Sequence, residues 1–118
     1  MTDLAEPSPE LLRQIMADVG ELLNRHGWQS EPRRHLAYLL SETIELAEEV
    51  LRLPESRPAS SDELQRVGRE LYDVVWNACA LARSAGIDIV AASADKRAVN
   101  ANRIWSTESL EHGRSQRD

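Results

Sequence analysis

The sequence contains few aromatic residues and a single cysteine. Phenylalanine is absent, and three tryptophans and two tyrosines are the only aromatic residues, so leucine, valine, isoleucine and alanine must form the core. That composition favours packed helices over a β-sandwich. The single cysteine, Cys79, excludes an internal disulfide bond and is best interpreted as a small buried residue. A chain with so little cysteine is typical of the reducing cytoplasm, where we expect this protein to reside.

Long apolar runs and clusters of basic residues are also missing. No apolar run approaches the length of a membrane-spanning helix, and residues 1–9 lack the basic and apolar blocks of a signal peptide, so we expect no membrane association. The chain carries 14 Lys and Arg against 20 Asp and Glu, a net charge of −6 without a basic run, which argues against nucleic acid as a partner. An acidic protein that binds a polyphosphate needs cations to bridge the like charges.

The spacing of the apolar residues predicts one all-α domain over residues 1–105, followed by a polar tail over residues 106–118. Four amphipathic segments joined by short loops indicate a four-helix bundle. Capping residues, prolines and glycines mark the helix ends. The predicted helices run from Pro9 to about Gly27, from Pro32 to about Leu53, from Ser60 to about Ser84, and from Asp88 to Arg103 or Ile104.

The second and third predicted helices carry acidic pairs at the same place on their surfaces. Glu42 and Glu45 are three residues apart and lie at one margin of the apolar half of the second helix, with Glu49 beside them. Glu70 and Asp73 occupy the corresponding margin of the third helix. If the two helices pack through their apolar halves, four carboxylates converge along one groove.

The apolar surroundings of Asp73 distinguish this pattern from an ordinary solvated face. A lone Glu-x-x-Glu pair generally marks a surface in water, but Asp73 is the only charged residue from Leu71 to Ala82. Charged groups are seldom buried unless they are paired or bind metal, and converging carboxylates repel one another. A hard divalent cation with oxygen ligands removes this conflict. The sequence therefore favours a Mg²⁺ site, with Mn²⁺ as a substitute.

The fourth predicted helix carries a stripe that suits phosphate oxygens. Lys96, Asn100 and Arg103 recur at i, i+4 and i+7 and so share one face. Taken alone, this stripe more commonly marks a solvated basic face, and it gains weight only from the acidic pairs. Two tryptophans are candidate contacts for a nucleotide base: Trp28 follows the first helix, and Trp76 lines either the site or a subunit interface.

These motifs together resemble the all-α nucleoside-triphosphate pyrophosphohydrolases. Glu42-x-x-Glu45 is followed after 24 residues by Glu70-x-x-Asp73, and the stretch KRAVNANR reads like the family's phosphate-binding end. The group includes MazG-like enzymes, dCTP pyrophosphatases, dimeric dUTPases and phosphoribosyl-ATP pyrophosphatases. The resemblance covers roughly residues 9–105. It implies a four-helix MazG-like bundle that assembles into a homodimer or homotetramer.

The resemblance also implies a reaction and a set of site residues. The family hydrolyses a (d)NTP between the α- and β-phosphates to a monophosphate and pyrophosphate, a reaction compatible with cleaning the nucleotide pool. Either Glu42 or Glu45 would accept the proton of the attacking water. The implied Mg²⁺ ligands are Glu42, Glu45, Glu70 and Asp73, and the implied substrate contacts are Lys96, Asn100 and Arg103, with Trp28 and Trp76.

Two alternatives stay open, and a third is disfavoured. The same scaffold could serve as a catalytically inert oligomerisation or regulatory bundle. A phosphoribosyl-ATP pyrophosphatase-like enzyme is also compatible, although that branch generally lacks so long a leading helix and the K-x-x-x-N-x-x-R end. A di-iron carboxylate bundle requires Glu-x-x-His pairs, and none of the three histidines follows an acidic residue at that spacing. The preferred base and sugar are not specified by any motif.

Overall fold

The computed structural model describes residues 10–27 and 31–103, which form four α-helices and no β-strand. The predicted all-α fold with four helices is therefore confirmed. The second and fourth helices end two or three residues earlier than predicted, and the predicted tail lies outside the described residues. The helices are α1 (Glu10–His26), α2 (Pro32–Leu51), α3 (Ser61–Ser84) and α4 (Ile89–Ala101).

The start of α3 is determined by a reciprocal pair of hydrogen bonds. The Ser60 hydroxyl accepts from the backbone N–H of Glu63 at 3.1 Å, and the Glu63 carboxylate accepts from the backbone N–H of Ser60 at 2.8 Å. This arrangement is a capping box. Arg57 donates two further hydrogen bonds to the same carboxylate, at 3.0 and 3.2 Å. Arg57 and the Ser60 backbone together lower the pKa of Glu63 to about 2.

The turn between α3 and α4 follows from its local sequence. Gly86 has a φ of 72°, in the left-handed region that favours glycine, and the Ile87 N–H donates back to the Ala82 carbonyl oxygen at 2.8 Å. Asp88 then caps α4, because its Oδ1 accepts from the backbone N–H of Val90 at 3.1 Å. Both predicted helix boundaries are confirmed.

The buried core lies between α1 and the C-terminal half of α3. Small side chains on α3 allow α1 to pack closely, and burial raises the pKa of the Cys79 thiol, as expected for a residue inside the core. Partly buried residues, including Trp76, surround this centre. The core residues are Ile15, Val19, Leu23, Cys79 and Ala80.

The most extensive helix packing is between α2 and α3, which run antiparallel. Glu49 lies beside Arg66, whereas Glu45, earlier in the chain, lies beside Glu70, so residue numbers run in opposite directions along the two helices. In the single chain, α2 does not pack through the whole of its apolar half. One side of that half is partly buried, and the rest is exposed. The partly buried residues are Leu39, Leu46 and Leu53, and the exposed ones include Leu36, Leu40, Ile44 and Leu51.

In the part of the chain that the structure describes, no single helix is long and apolar enough to cross a membrane. α3 and α4 reach that length and composition only when taken together, and they are bent by 110° at the break between them.

Candidate metal centre

Three carboxylates meet in the groove between α2 and α3. Glu42 and Glu45 of α2 and Glu70 of α3 each have a carboxylate oxygen within 4.8 Å of the other two. The spacing of three residues places both α2 carboxylates on one face of that helix. The antiparallel packing brings Glu70 opposite them. We call these three residues the acidic cluster, and it contains three of the four predicted metal ligands.

Two members of the acidic cluster have buried oxygen atoms without partners. Glu42 and Glu70 are half-buried, whereas Glu45 is exposed. The Oε2 atoms of Glu42 and Glu70 are buried and have no hydrogen-bond partner. Among the described residues, no Lys, Arg or His forms an ion pair with any of the three carboxylates. Leaving a buried acceptor without a donor is costly, so the cluster has an unsatisfied demand for positive charge.

Burial and mutual repulsion raise the pKa of two of these groups. The pKa of Glu42 is raised mainly by burial, and then by the hydrogen bond and charge of Glu45 and by the charges of Asp73 and Glu70. The pKa of Glu70 is also raised mainly by burial, and then by Glu45, Asp73 and Glu49. All the charges that act on the two groups are negative. A nearby cation would lower both pKa values and stabilise the ionised groups.

Asp73 lies at the edge of the acidic cluster rather than inside it. Its side chain is exposed and is not among the three that meet, although its charge contributes to the raised pKa of Glu42 and Glu70. The sequence predicted a partly apolar groove around Asp73. In the single chain its neighbours Leu71 and Val75 are also exposed, at 49% and 39%. The apolar residues beside Asp73 therefore form exposed surface, whereas Cys79 and Ala80, later in the same segment, lie in the core.

The donor set of the acidic cluster fits a hard divalent cation. All the available ligand atoms are carboxylate oxygens, which Mg²⁺ and Mn²⁺ prefer. Two oxygens bound to one ion at about 2.1 Å lie at most about 4.2 Å apart. The present limit of 4.8 Å is close to that value, and Glu45 is exposed to solvent. The Oε2 atoms of Glu42 and Glu70 are buried without a hydrogen-bond donor, and a bound cation would satisfy both of them.

The predicted phosphate contacts on the fourth helix do not join the acidic cluster within one chain. Lys96 and Asn100 lie on α4, and Arg103 lies just after it. The main helix contact of α4 is with α1 rather than with α2 or α3. Lys96 and Arg103 are exposed and Asn100 is half-buried. No cation on α4 is among the charges that act on the two half-buried glutamates.

Of the two tryptophans predicted to contact a base, one can be located. Trp76 is half-buried and packs against the core between α1 and α3. In the single chain it is therefore a packing residue on the α1 side of α3, which the sequence did not predict. Trp28 lies outside the described residues.

Sequence reasoning missed an arginine-lined extension of the groove toward the loop between α2 and α3. Glu49 accepts a hydrogen bond from Arg52 at 2.9 Å, and its other oxygen lies 4.0 Å from Nε of Arg66. The sequence does show that Arg66 lies four residues before Glu70, which places both side chains on one face of α3. The pairing across helices depends on their register, which the sequence does not show. This extension, of about 310 Å³, is lined by Glu49, Arg52, Leu53, Glu63 and Arg66, and we call it the arginine pocket.

The chain matches no protein-family model and no curated protein sequence.

Proposed function

We propose that the protein is a Mg²⁺-dependent nucleoside-triphosphate pyrophosphohydrolase, which converts a (d)NTP to the monophosphate and pyrophosphate. The observation that supports this best is the acidic cluster. Its two half-buried glutamates, Glu42 and Glu70, come from different helices, and each has a buried oxygen without a partner. Such a cluster attracts a divalent cation, and the motif spacing is similar to that of the all-α pyrophosphohydrolases.

In this proposal the carboxylates divide the work of binding and proton transfer. Glu42, Glu45 and Glu70 would hold Mg²⁺, with Asp73 as a fourth ligand from the edge of the cluster. A bound Mg²⁺ lowers the pKa of water and neutralises charge on the phosphates. Glu45 is the exposed member of the cluster, so its carboxylate is the more accessible base for the attacking water, with Glu42 as the alternative.

The reaction itself is the hydrolysis of one phosphoanhydride bond. The water oxygen bonds to the α-phosphorus, its proton passes to the glutamate base, and the bond from the α-phosphorus to the bridging oxygen breaks. Pyrophosphate leaves, and the nucleoside monophosphate remains. In a cluster that contains only carboxylates, the substrate is repelled until cations compensate the charge, so activity should require the metal absolutely.

Lys96, Asn100 and Arg103 remain proposed contacts to the triphosphate. Because α4 packs on α1 in the single chain, these residues reach the acidic cluster only if assembly or substrate binding brings α4 to the groove. Trp28 remains a proposed contact to the base on the basis of the resemblance alone.

We further propose that the protein assembles as a homodimer or homotetramer through an apolar face formed by α2 and α3. On α2, Leu40, Ile44 and Leu51 are 56%, 60% and 84% exposed. On a helical wheel they lie about 160–180° from Glu42, on the far side of α2 from the acidic cluster. A single surface leucine needs no explanation, but this stripe runs along most of the helix.

The neighbouring surface of α3 continues the same apolar face. Leu64, Leu71 and Val75 are exposed and lie about 100–140° around α3 from Glu70. Because α2 and α3 are antiparallel, this places the α3 residues on the same side of the helix pair as the exposed α2 leucines. Monomeric proteins rarely expose a contiguous apolar patch larger than a few hundred Å². A second copy offers an identical face that covers it.

The main competing function is an inert helical bundle on the same scaffold. A purely structural role does not favour the acidic cluster, because apolar side chains at these positions would pack without the cost of burying carboxylates. Calorimetric titration with Mg²⁺ and Mn²⁺ tests this. The wild type should bind the ion, the double variant Glu42→Gln, Glu70→Gln should not, and Glu48→Gln, a matched change on the exposed side of α2, should bind like wild type. Absence of binding by the wild type would refute the metal site.

A further inference from the structure

The arginine pocket continues the groove of the acidic cluster by one turn of each helix. Glu49 follows Glu45 by four residues, and Arg66 precedes Glu70 by four, so each lies about 6 Å along its own helix from the cluster. Residues four apart share a helix face. The acidic cluster and the arginine pocket are therefore two ends of one groove, with carboxylates at one end and guanidinium groups at the other.

The guanidinium groups of the pocket are exposed to solvent and keep most of their donors free of protein partners. The Glu49 side chain is only 21% exposed and contacts both arginines, whereas the side chains of Arg52 and Arg66 are 68% and 55% exposed. Within residues 10–27 and 31–103, Arg52 has one side-chain hydrogen bond, and the 4.0 Å approach of Arg66 to Glu49 is too long to be one. A guanidinium carries five donors. Most donors on both arginines are therefore available to a ligand.

The pocket supplies guanidinium groups next to the carboxylates of the cluster. Arg52 and Arg66 line it together with Glu49 and Glu63, and Arg57 pairs with Glu63. The lining of the pocket is therefore balanced in charge. The adjoining acidic cluster has only negative charge. A phosphate chain that lies along the groove would place its metal-binding part at the cluster and its other phosphates at the arginines.

We propose that Arg52 and Arg66 bind the β- and γ-phosphates of a nucleoside triphosphate whose α-phosphate lies at the acidic cluster. This inference rests on the proposed function. It adds a reason why the bond between the α- and β-phosphates is the one that is cleaved. Guanidinium groups bind phosphate oxygens through paired, charge-assisted hydrogen bonds. With the last two phosphates held one helical turn away, the α-phosphorus is the one exposed to water, and the group that leaves is pyrophosphate.

Inorganic pyrophosphate is the probe that tests this without turnover. Calorimetry in the presence of Mg²⁺ should show that the double variant Arg52→Ala, Arg66→Ala binds pyrophosphate about tenfold or more weakly than wild type. Mg²⁺ binding without pyrophosphate should be unchanged, because neither arginine belongs to the acidic cluster. Arg25→Ala is the matched control, since Arg25 is paired with Glu21 at 2.7 Å in a similar exposed ion pair on α1. It should behave like wild type.

A second readout separates a phosphate contact from a general loss of charge. The preference for a nucleoside triphosphate over the diphosphate, measured as the ratio of kcat/KM values, should fall in the double variant and recover in part with Arg52→Lys, Arg66→Lys. Equal pyrophosphate affinity in wild type and double variant, with Mg²⁺ still bound, would overturn this inference and leave the proposed function standing. Failure of the wild type to bind Mg²⁺ would overturn both.

Discussion

Glu42 on α2 and Glu70 on α3 lie on opposite walls of one groove, and the Oε2 atom of each is buried without a hydrogen-bond partner. The two residues belong to the pair of helices with the most extensive packing in the chain. Their mutual repulsion therefore acts across the contact that holds these helices together. A cation bound between them would remove the repulsion and stabilise the fold by mass action, so metal binding and stability are coupled.

The first prediction concerns the pH dependence of the metal-free protein. The pKa of Glu42 is raised in the folded state, so the folded protein retains this proton to higher pH than the unfolded chain does. The stabilising contribution is complete below the ordinary glutamate pKa of about 4.3 and is lost as pH rises through the raised folded value. In EDTA, Glu42→Gln should therefore gain stability relative to wild type as the pH rises from about 4, where the ordinary glutamate pKa lies.

Urea unfolding of both proteins across this pH range measures the effect. Glu48→Gln serves as the control, because Glu48 is exposed on α2 and lies outside the acidic cluster. A stability difference between Glu42→Gln and wild type that did not change with pH would show that the Glu42 carboxylate ionises freely in the folded protein.

The second prediction concerns Asp73, which we propose as a ligand at the edge of the site. Asp73→Asn removes one negative charge near Glu42 and Glu70 and keeps the side-chain volume, so in EDTA the variant should melt at or above the wild-type temperature. Saturating Mg²⁺ should stabilise the wild type by about 2.7 kcal/mol at a hundredfold excess over Kd, and the variant by much less. Turnover should be lost. Equal Mg²⁺ shifts and equal turnover in thermal melts and assays would remove Asp73 from the ligand set.

The third prediction concerns the capping box at the start of α3. Ser60→Ala removes the acceptor for the Glu63 N–H and should cost about 1 kcal/mol of unfolding free energy. Ser61→Ala, at the next position, changes an exposed serine inside the helix and should have little effect. Denaturant unfolding at neutral pH compares the two. Equal effects from both substitutions would mean that the cap contributes nothing measurable.

The fourth prediction concerns assembly through the apolar face of α2 and α3. Leu40→Glu and Ile44→Glu place a charge on residues that are 56% and 60% exposed in the single chain. If a second copy covers them, either substitution should lower the molar mass measured by light scattering to that of the monomer. Ala17→Glu, which adds the same charge to an exposed site on α1, should leave the mass unchanged. A monomeric wild type at micromolar concentration would contradict the proposed assembly.

The sequence predicted those features that depend on neighbours along the chain. Ser60 and Glu63, Gly86 and Asp88 mark helix ends through hydrogen bonds that span six residues at most, so their roles could be read directly. The meeting of Glu42, Glu45 and Glu70 could also be predicted. It requires only the helix phase and one antiparallel contact.

The remaining features depend on tertiary contacts that periodicity does not determine. The exposure of Asp73 follows from how little of α3 the single chain covers, and the position of Lys96 follows from the packing of α4 on α1. The contacts of Glu49 with Arg52 and Arg66 depend on the register between α2 and α3. A one-turn shift of that register would preserve every apolar pattern in the sequence and remove the arginine pocket.

The most direct test of the proposed function is the identity of the products formed from a panel of common and oxidised (d)NTPs. Phosphorus NMR of each reaction distinguishes pyrophosphate from orthophosphate. With Mg²⁺, the wild type should convert at least one substrate to its monophosphate and pyrophosphate in equal amounts, and EDTA or the double variant Glu42→Gln, Glu70→Gln should abolish the reaction. Formation of a nucleoside diphosphate and orthophosphate, or turnover that persists in EDTA, would contradict the assignment of a metal-dependent pyrophosphohydrolase.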